Sequence, residues 1–540
     1  MIPETKPDKI IRVAFPIVFV GLVALMFWKC KYGFPYEETF YAYTAFRFIN
    51  GDYPILHEWH MSQMSHMFLQ LPVMIYLKFS SGTEGIILFL RYLYTTLWTA
   101  FGAFVYYRTR TVSKHGAMLA SLVILVFAPC GQMAIYYYPM GILTLTVSGI
   151  LLITSQRLRR LQIVTAGIFY SLAVIYCPVL AVLTVPAAVL IITGFVRNRK
   201  EYKELLWMLP GILLSVAVFY ICVMSHAPLG EYLNVLPNIM SDSEHAAGIA
   251  EKTIEYLESV IYVLILVAAT FIFAKFCKNR KIIRNGFIAE CILSVVLVLV
   301  YLMQDSLVNY YMTAFVNIGL YVRLVMPDDM NRKLFTYLWI PGVLYSLCIH
   351  FSSNMGGVVI SSALTVSAFA GILMAARMIT ADKEKYEEVS FLCSVTVLIL
   401  VLTISRAMYV FCEHNVFEQT HKIDQGICKG LMVSDEPYDR YMYLLPDVVK
   451  IKNDDSIDRL LIVSNEWWMY LESGKMISSF TAWTPTLTPA MLDSYYNLYP
   501  DMRPDAIYID EFYSELEPNF EIQGYAGNKT DRGGYILYPQ

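Results

Sequence analysis

Charge is scarce in this chain. Of its 540 residues only 16% are Asp, Glu, Lys or Arg, while 57% are hydrophobic. A soluble globular chain carries about 25% charged and roughly 45–50% apolar residues. The shortfall excludes a soluble enzyme, a disordered scaffold and a nucleic-acid-binding module. The ten cysteines are scattered, with no CxxC pair and no zinc-ligand spacing. No glycine-rich phosphate loop follows an apolar strand-like run, and no HExxH pair sets two histidines on one helix face.

Long apolar runs are what the chain has instead. A helix needs about 20 apolar residues to cross a bilayer core of roughly 30 Å. That ruler predicts spans near 12–28, 86–106, 116–130, 139–154, 162–177, 178–196, 205–225, 256–274, 286–303, 308–326, 334–350, 356–376 and 389–411, about thirteen in all. The first run ends in Phe27-Trp28-Lys29, an aromatic and basic anchor, and reads as a retained helix with no cleavage site. The run from Gln162 to Val196 is too long for one helix, and Cys177-Pro178 breaks it because proline lacks a donor and clashes with the preceding turn.

Cytoplasmic loops hold the excess of Lys and Arg. With the N-terminus inside, the inner segments hold 23 basic residues and the outer ones before residue 412 hold five. The tail, 412–540, carries 10 basic and 21 acidic residues, against 31 and 23 in residues 1–411. The fold class that follows is an α-helical polytopic membrane protein, N-terminus in and C-terminus out, with a small C-terminal α/β extracytoplasmic domain. Its parts are a body, 1–411, with outer loops at 29–84 and 226–255, and a domain at 412–540. In that domain Arg459–Val463, Lys475–Phe480, Asp505–Asp510 and Gly534–Tyr538 read as strands of a partly parallel sheet, and Thr488–Leu498 as a helix. The domain reads as a lid or acceptor platform. Asn528-Lys-Thr530 matches a glycosylation sequon, a match common by chance. Cys412 and Cys428 both fall outside, where pairing is open to them.

The unusual sequence lies in the outer loops. Glu38–Phe48 and Met64–Phe79 read as amphipathic interfacial helices. Glu37 and Glu38, set among Phe34, Tyr36, Phe40 and Tyr41, are candidate general bases, because a partly desolvated carboxylate can take a proton from an attacking hydroxyl. The bland reading is two solvated interfacial glutamates. His57, Glu58, Trp59, His60 and His66 form a second polar cluster, suited to an acceptor cleft or a lipid phosphate and matching no standard metal-ligand spacing. Tyr137 and Tyr138, with Tyr310 and Tyr311, lie at outer boundaries, where aromatic belts form anyway. Asp242 in the second outer loop and Arg47 in the first complete the candidate donor and acceptor contacts, and Lys78 and Arg91 are further cations for a phosphate.

Tyr36-Glu37-Glu38-Thr39-Phe40-Tyr41-Ala42, then Ala45 to Phe48, then Gly51-Asp52-Tyr53-Pro54, resembles the first outer loop of the GT-C membrane glycosyltransferases, nearest the protein-mannosyltransferase-like and aminoarabinose-transferase-like branch. The resemblance implies that the first acid of the pair, Glu37, is the catalytic carboxylate, with glutamate standing for aspartate. Glu38 stays open as the alternative. The family's Lys-Pro-Pro element is not matched: Trp59 is followed by His60-Met-Ser-Gln-Met-Ser-His66. The implied activity is inverting transfer of a sugar from a polyprenyl-phosphate-linked donor to a cell-envelope acceptor at the outer face. It needs no cofactor and no nucleic-acid partner, although some relatives use a divalent metal. The competing readings are a transporter or flippase, and a polymerase or ligase, for lipid-linked polysaccharide precursors.

The topology is directly testable. A reporter fused at Gln540 should report the outer side, and a cysteine placed at Lys278 should be closed to impermeant reagents from outside; the reverse labelling pattern overturns the arrangement.

Overall fold

Each predicted apolar run contains helix within its described residues. The computed structural model describes residues 6–80, 82–154, 159–240, 248–276, 279–302, 311–352, 360, 362–382, 385–516 and 523–540. Among them, five helical stretches are long and apolar enough to cross a membrane: Ile86–Thr109, Pro178–Val196, Lys200–His226, Asp329–Phe351 and Tyr386–Met408. Shorter apolar helices run over Val13–Lys29, Lys114–Val126, Tyr137–Ile153, Met312–Val325 and Thr365–Thr380. The helix Arg159–Tyr176 stops before Pro178, which opens a 3-10 turn, Pro178–Leu183, leading into Thr184–Val196. Proline's fixed φ suits the first turn of a helix but not its interior.

The first outer loop folds as helix Tyr36–Ile49, an irregular stretch, and then a broken helix. Where one interfacial helix was expected over Met64–Phe79, the backbone makes Gln63–His66, a 3-10 turn Met67–Leu69 and helix Gln70–Ser80. In the second outer loop, helix Leu229–Met240 precedes residue 241, and Asp242 lies outside the described residues.

The C-terminal region is a five-stranded sheet in the order Met476–Ile477, Arg459–Val463, Ala506–Ile509, Tyr535–Pro539, Tyr525–Lys529. The first three strands are parallel and the last two pair antiparallel. The helix Pro489–Leu498 is capped by Thr488, whose hydroxyl accepts from Met491 N at 3.3 Å. Sequence reading did not find helix Asp435–Lys452, which carries Pro437 and Pro446, nor strand Tyr525–Lys529, whose Gly527 and Asn528 have poor strand propensity. The sequon's Asn528 is exposed on that edge strand. Cys412 is exposed, Cys428 is buried, and both are free thiols.

The sheet domain is bolted to the first outer loop through Arg47. Its guanidinium is fully buried and donates to Asp52 at 2.5 Å, to Glu58 at 2.9 Å, to the His57 carbonyl and to the Tyr495 hydroxyl at 3.1 Å. Arg459, in the central strand, reaches the other oxygen of Asp52 at 3.1 Å. Trp59 stacks on Phe480 at 5.2 Å, and its backbone N–H donates to the Phe480 carbonyl at 2.8 Å. Tyr43 stacks on Tyr470 at 5.0 Å and donates to the Lys475 carbonyl at 2.9 Å. The loop and the sheet domain therefore share one buried polar joint.

Arg47→Met would leave Asp52 and Glu58 buried without their main counter-charge. The expected cost is about 3–5 kcal/mol, read as a lower Tm and faster proteolysis within 412–540. Burial alone would raise the Asp52 carboxyl, but Arg47, a His57 hydrogen bond and Arg459 outweigh it and hold the group below the usual carboxylate range. A depressed acid contributes stability that is complete above its unfolded value, about 3.9, and is lost as pH falls towards the folded one. The joint should therefore loosen only below about pH 4, and Asp52→Asn should flatten that acid limb.

Candidate functional site

Helix Tyr36–Ile49 begins with Tyr36-Glu37-Glu38, placing two acids in its first turn, where the helix dipole favours negative charge. Neighbours on a helix point about 100° apart, and the two carboxylates accordingly meet different surroundings. Glu38 pairs with Arg91 Nε at 2.7 Å. Arg91 is itself tied to the carbonyls of Cys30 and Tyr32 at 3.2 and 3.1 Å. Burial pushes the Glu38 carboxyl up, and Arg91 pulls against it without cancelling the rise.

Glu37 is half-buried and has no basic partner among the described residues. Its Oε2 accepts from the Tyr41 hydroxyl at 2.8 Å and from the Gln132 amide at 2.8 Å. Tyr41 stands one helical turn on from Glu37, so the two share a face. Gln132 comes from the link between helices Lys114–Val126 and Tyr137–Ile153, in extended backbone just after the proline-led turn Pro129–Gly131. Two neutral donors fix the carboxylate's direction while leaving its charge uncompensated. That is the arrangement a general base needs.

Aromatic rings wall this corner. Tyr41 stacks almost parallel on Tyr136 at 5.1 Å, and Tyr136 meets Tyr137 and Tyr138 edge-on at 5.7 and 5.6 Å. His66 is fully buried against Phe40 and Tyr41, with ring centroids at 5.2 and 5.0 Å, and both of its ring nitrogens are without a hydrogen-bond partner. Burial, with a smaller push from His60, holds His66 well below the usual histidine range, so it is a neutral imidazole.

The candidate residues divide. Glu37, Glu38, His66, Tyr137 and Tyr138 gather around the start of helix Tyr36–Ile49. Arg47, Glu58 and Trp59 are sealed in the joint with the sheet domain. His60 lies between them, its ring 5.0 Å from Phe40 and 5.7 Å from Trp483, and its Nδ1 2.7 Å from the Ser62 hydroxyl. Asp242 and Tyr310 fall outside the described residues; Tyr311 opens helix Tyr311–Val325. Glu58 accepts from the His60 N–H at 3.0 Å and Phe40 meets both His60 and His66, but among the described residues no group of three His, Cys, Asp or Glu is placed to hold a metal ion. Sequence reading missed Tyr41 and Gln132 as partners of Glu37, and Lys29 and Arg406 beside the Glu38–Arg91 pair. Arg406 did leave a signal, as a charge inside an apolar run.

No protein-family model matches this chain, and no curated protein matches it. Among solved structures it is similar to the oligosaccharyltransferase of Archaeoglobus fulgidus in complex with zinc and sulfate, at 12% identity and a TM-score of 0.51, over 97% of this chain and 72% of that one. A structure of that enzyme tethered by a disulfide to an acceptor peptide with the NVT sequon gives 11% identity and a TM-score of 0.49, over 97% and 74%. The likeness is one of fold, and it agrees with the fold that the resemblance of residues 36–54 implies.

His66 gives this corner a pH signature. A histidine kept neutral by burial destabilises the fold as pH drops below its unfolded value of about 6.5, by at most roughly 1.4 kcal/mol per pH unit. His66→Leu should therefore flatten stability against pH between about 6.5 and 5, as read by thermal unfolding at each pH; an unchanged slope would show that His66 protonates freely in the fold.

Proposed function

We propose that this chain is an integral-membrane glycosyltransferase that moves a sugar from a polyprenyl-phosphate-linked donor to a cell-envelope acceptor at the outer face. The N-terminus lies in the cytoplasm, and residues 412–540 form an extracytoplasmic platform over the cleft. The observation that carries this reading is Glu37, a carboxylate without a cation partner among the described residues, oriented by Tyr41 and Gln132 in a GT-C-type fold. In the reaction the Glu37 carboxylate takes the proton of the acceptor hydroxyl as its oxygen bonds to the anomeric carbon. The bond from that carbon to the donor phosphate breaks, and the phosphate leaves with the electron pair. One displacement inverts the anomeric centre. Glu38 belongs to Arg91 and serves charge balance rather than proton transfer.

One observation favours the transporter reading. Glu290, in helix Arg280–Leu302, accepts from Thr270 at 2.6 Å and from Asn317 at 2.5 Å, so an ionisable group sits among three apolar helices. Such groups often mark transport pathways. The two readings separate by substitution. General-base help is typically worth about 10²–10⁴-fold, so Glu37→Gln should slow transfer by that factor with insertion intact. Glu290→Gln should leave transfer unchanged. A transfer assay with purified protein and a polyprenyl-phosphate sugar decides: near-wild-type rates for both Glu37→Gln and Glu38→Gln would overturn the carboxylate mechanism.

A further inference from the structure

Beside the Glu37 corner lies a knot of buried cations that the proton transfer does not use. Lys29 ends the first helix, Arg91 sits early in helix Ile86–Thr109, and Arg406 stands just before the end of helix Lys385–Met408. All three are buried, at 2%, 3% and 6% exposure. Among the described residues, Lys29 Nζ and Arg406 Nε and Nη2 have no hydrogen-bond partner. Lys29 lies within electrostatic reach of both arginines, and Arg406 within reach of Arg91 and Glu38. Together the three side chains line one small cavity with Glu38, Gln132 and Tyr32.

The bland account is that cations suit the C-terminal ends of helices, where backbone carbonyls lack partners. It covers the positions of Lys29 and Arg406 but not their hydrogen bonding, since the Lys29 ammonium donates to no carbonyl. Arg91 and Arg406 lie within reach of the Glu38 carboxylate, and Lys29 shares their cavity. The next carboxylate within reach, Glu413, is occupied by the Phe34 N–H and by the N–H and hydroxyl of Ser434. Unpaired buried charge is costly, and a cluster of it with free donors is short of an anion.

We propose that Lys29, Arg91 and Arg406 form the seat of a phosphoryl anion, and that Glu38 is its stand-in when the seat is empty. The donors come from three separate helices and converge from different directions. A tetrahedral oxyanion can meet all three, whereas the Glu38 carboxylate bonds only Arg91. The cavity measures about 20 Å³, room for roughly one water. A phosphoryl group therefore enters by displacing Glu38 from Arg91, not by filling an open hole. Gln132 ties the seat to the base, since it lines this cavity and donates to Glu37. Phe34, Met133, Val410 and Phe411 add an apolar rim, suited to the start of a lipid tail. The proposal rests on the reading of the cleft given above and names the group that holds the donor's phosphate.

Binding without transfer tests it. Full-length protein in lipid nanodiscs is unfolded thermally with and without decaprenyl phosphate, and separately with inorganic phosphate. A ligand that binds only the native state raises Tm by mass action. Lys29→Met and Arg406→Met should each match or exceed the wild type in Tm without ligand, because an unpartnered buried charge is gone. They should weaken phosphate binding about tenfold or more. Glu38→Gln should do the opposite, with a lower Tm alone and a larger ligand-induced rise. Arg406→Lys should keep most of the wild-type rise. Saturation by decaprenyl phosphate well below the concentration needed for inorganic phosphate marks a lipid headgroup site, and equal potency marks a free-phosphate site. Wild-type ligand shifts in both Lys29→Met and Arg406→Met, or a smaller shift in a folded Glu38→Gln, overturn the seat. Glu37→Gln should keep binding: if it also keeps transfer, the base assignment fails and the seat stands.

Discussion

One buried guanidinium ties helix Tyr36–Ile49 to the C-terminal sheet domain. Arg47 has no exposed surface, and its charge is met by two carboxylates, a carbonyl and a phenol. A charge so enclosed tolerates little movement, because any slip leaves unpaired groups away from water. Arg47 lies in the last turn of helix Tyr36–Ile49, so fixing it fixes the helix axis, and the axis fixes where the first turn points Glu37 and Glu38. The sheet domain does not contribute the acid. It supplies the Tyr495 hydroxyl and the Arg459 charge that complete the lock at the far end of the helix that carries it.

At the near end the two adjacent glutamates are separated by their company. Glu38 faces a guanidinium, whereas Glu37 faces a phenol and an amide. The Arg91 guanidinium occupies the Glu38 carboxylate, while two neutral donors orient Glu37 without a counter-charge among the described residues. A rotation of about 100° is thus enough to give identical side chains different company. The backbone around them is correspondingly tight. Gly33, at φ +96°, donates its N–H to the Met432 carbonyl at 2.8 Å, and a Cβ there would lie 2.5 Å from the Val410 side chain. Only glycine lets the chain leave the first helix and pass under the sheet domain in so little space.

Much of this was legible in the sequence, and the boundary has physical causes. Apolar runs identify helices because lipid requires continuous hydrophobicity, and the break at Pro178 follows from its missing N–H. The strands Arg459–Val463 and Ala506–Ile509 stood out as short apolar runs. Glu37 was found through a local motif. Its partners were not, because Gln132 is 95 residues away and no spacing rule connects the two. Arg47 looked like a ligand contact because an arginine beside aromatics in an outer loop reads that way. Its actual partners include Tyr495, 448 residues on. Pairings set by tertiary contact leave no periodic trace.

That long reach bears on how the protein is made. The bond from Arg459 to Asp52 joins residues 407 apart. At about 5–20 residues per second, ribosomal synthesis takes on the order of 20–80 s to bring the second partner into existence after the first. Throughout that interval Arg47 and Asp52 lack the partners that residues 495 and 459 supply. The clasp on the acid-bearing helix therefore closes only after residues 459 and 495 have been made, and until then the helix is held by its local contacts alone.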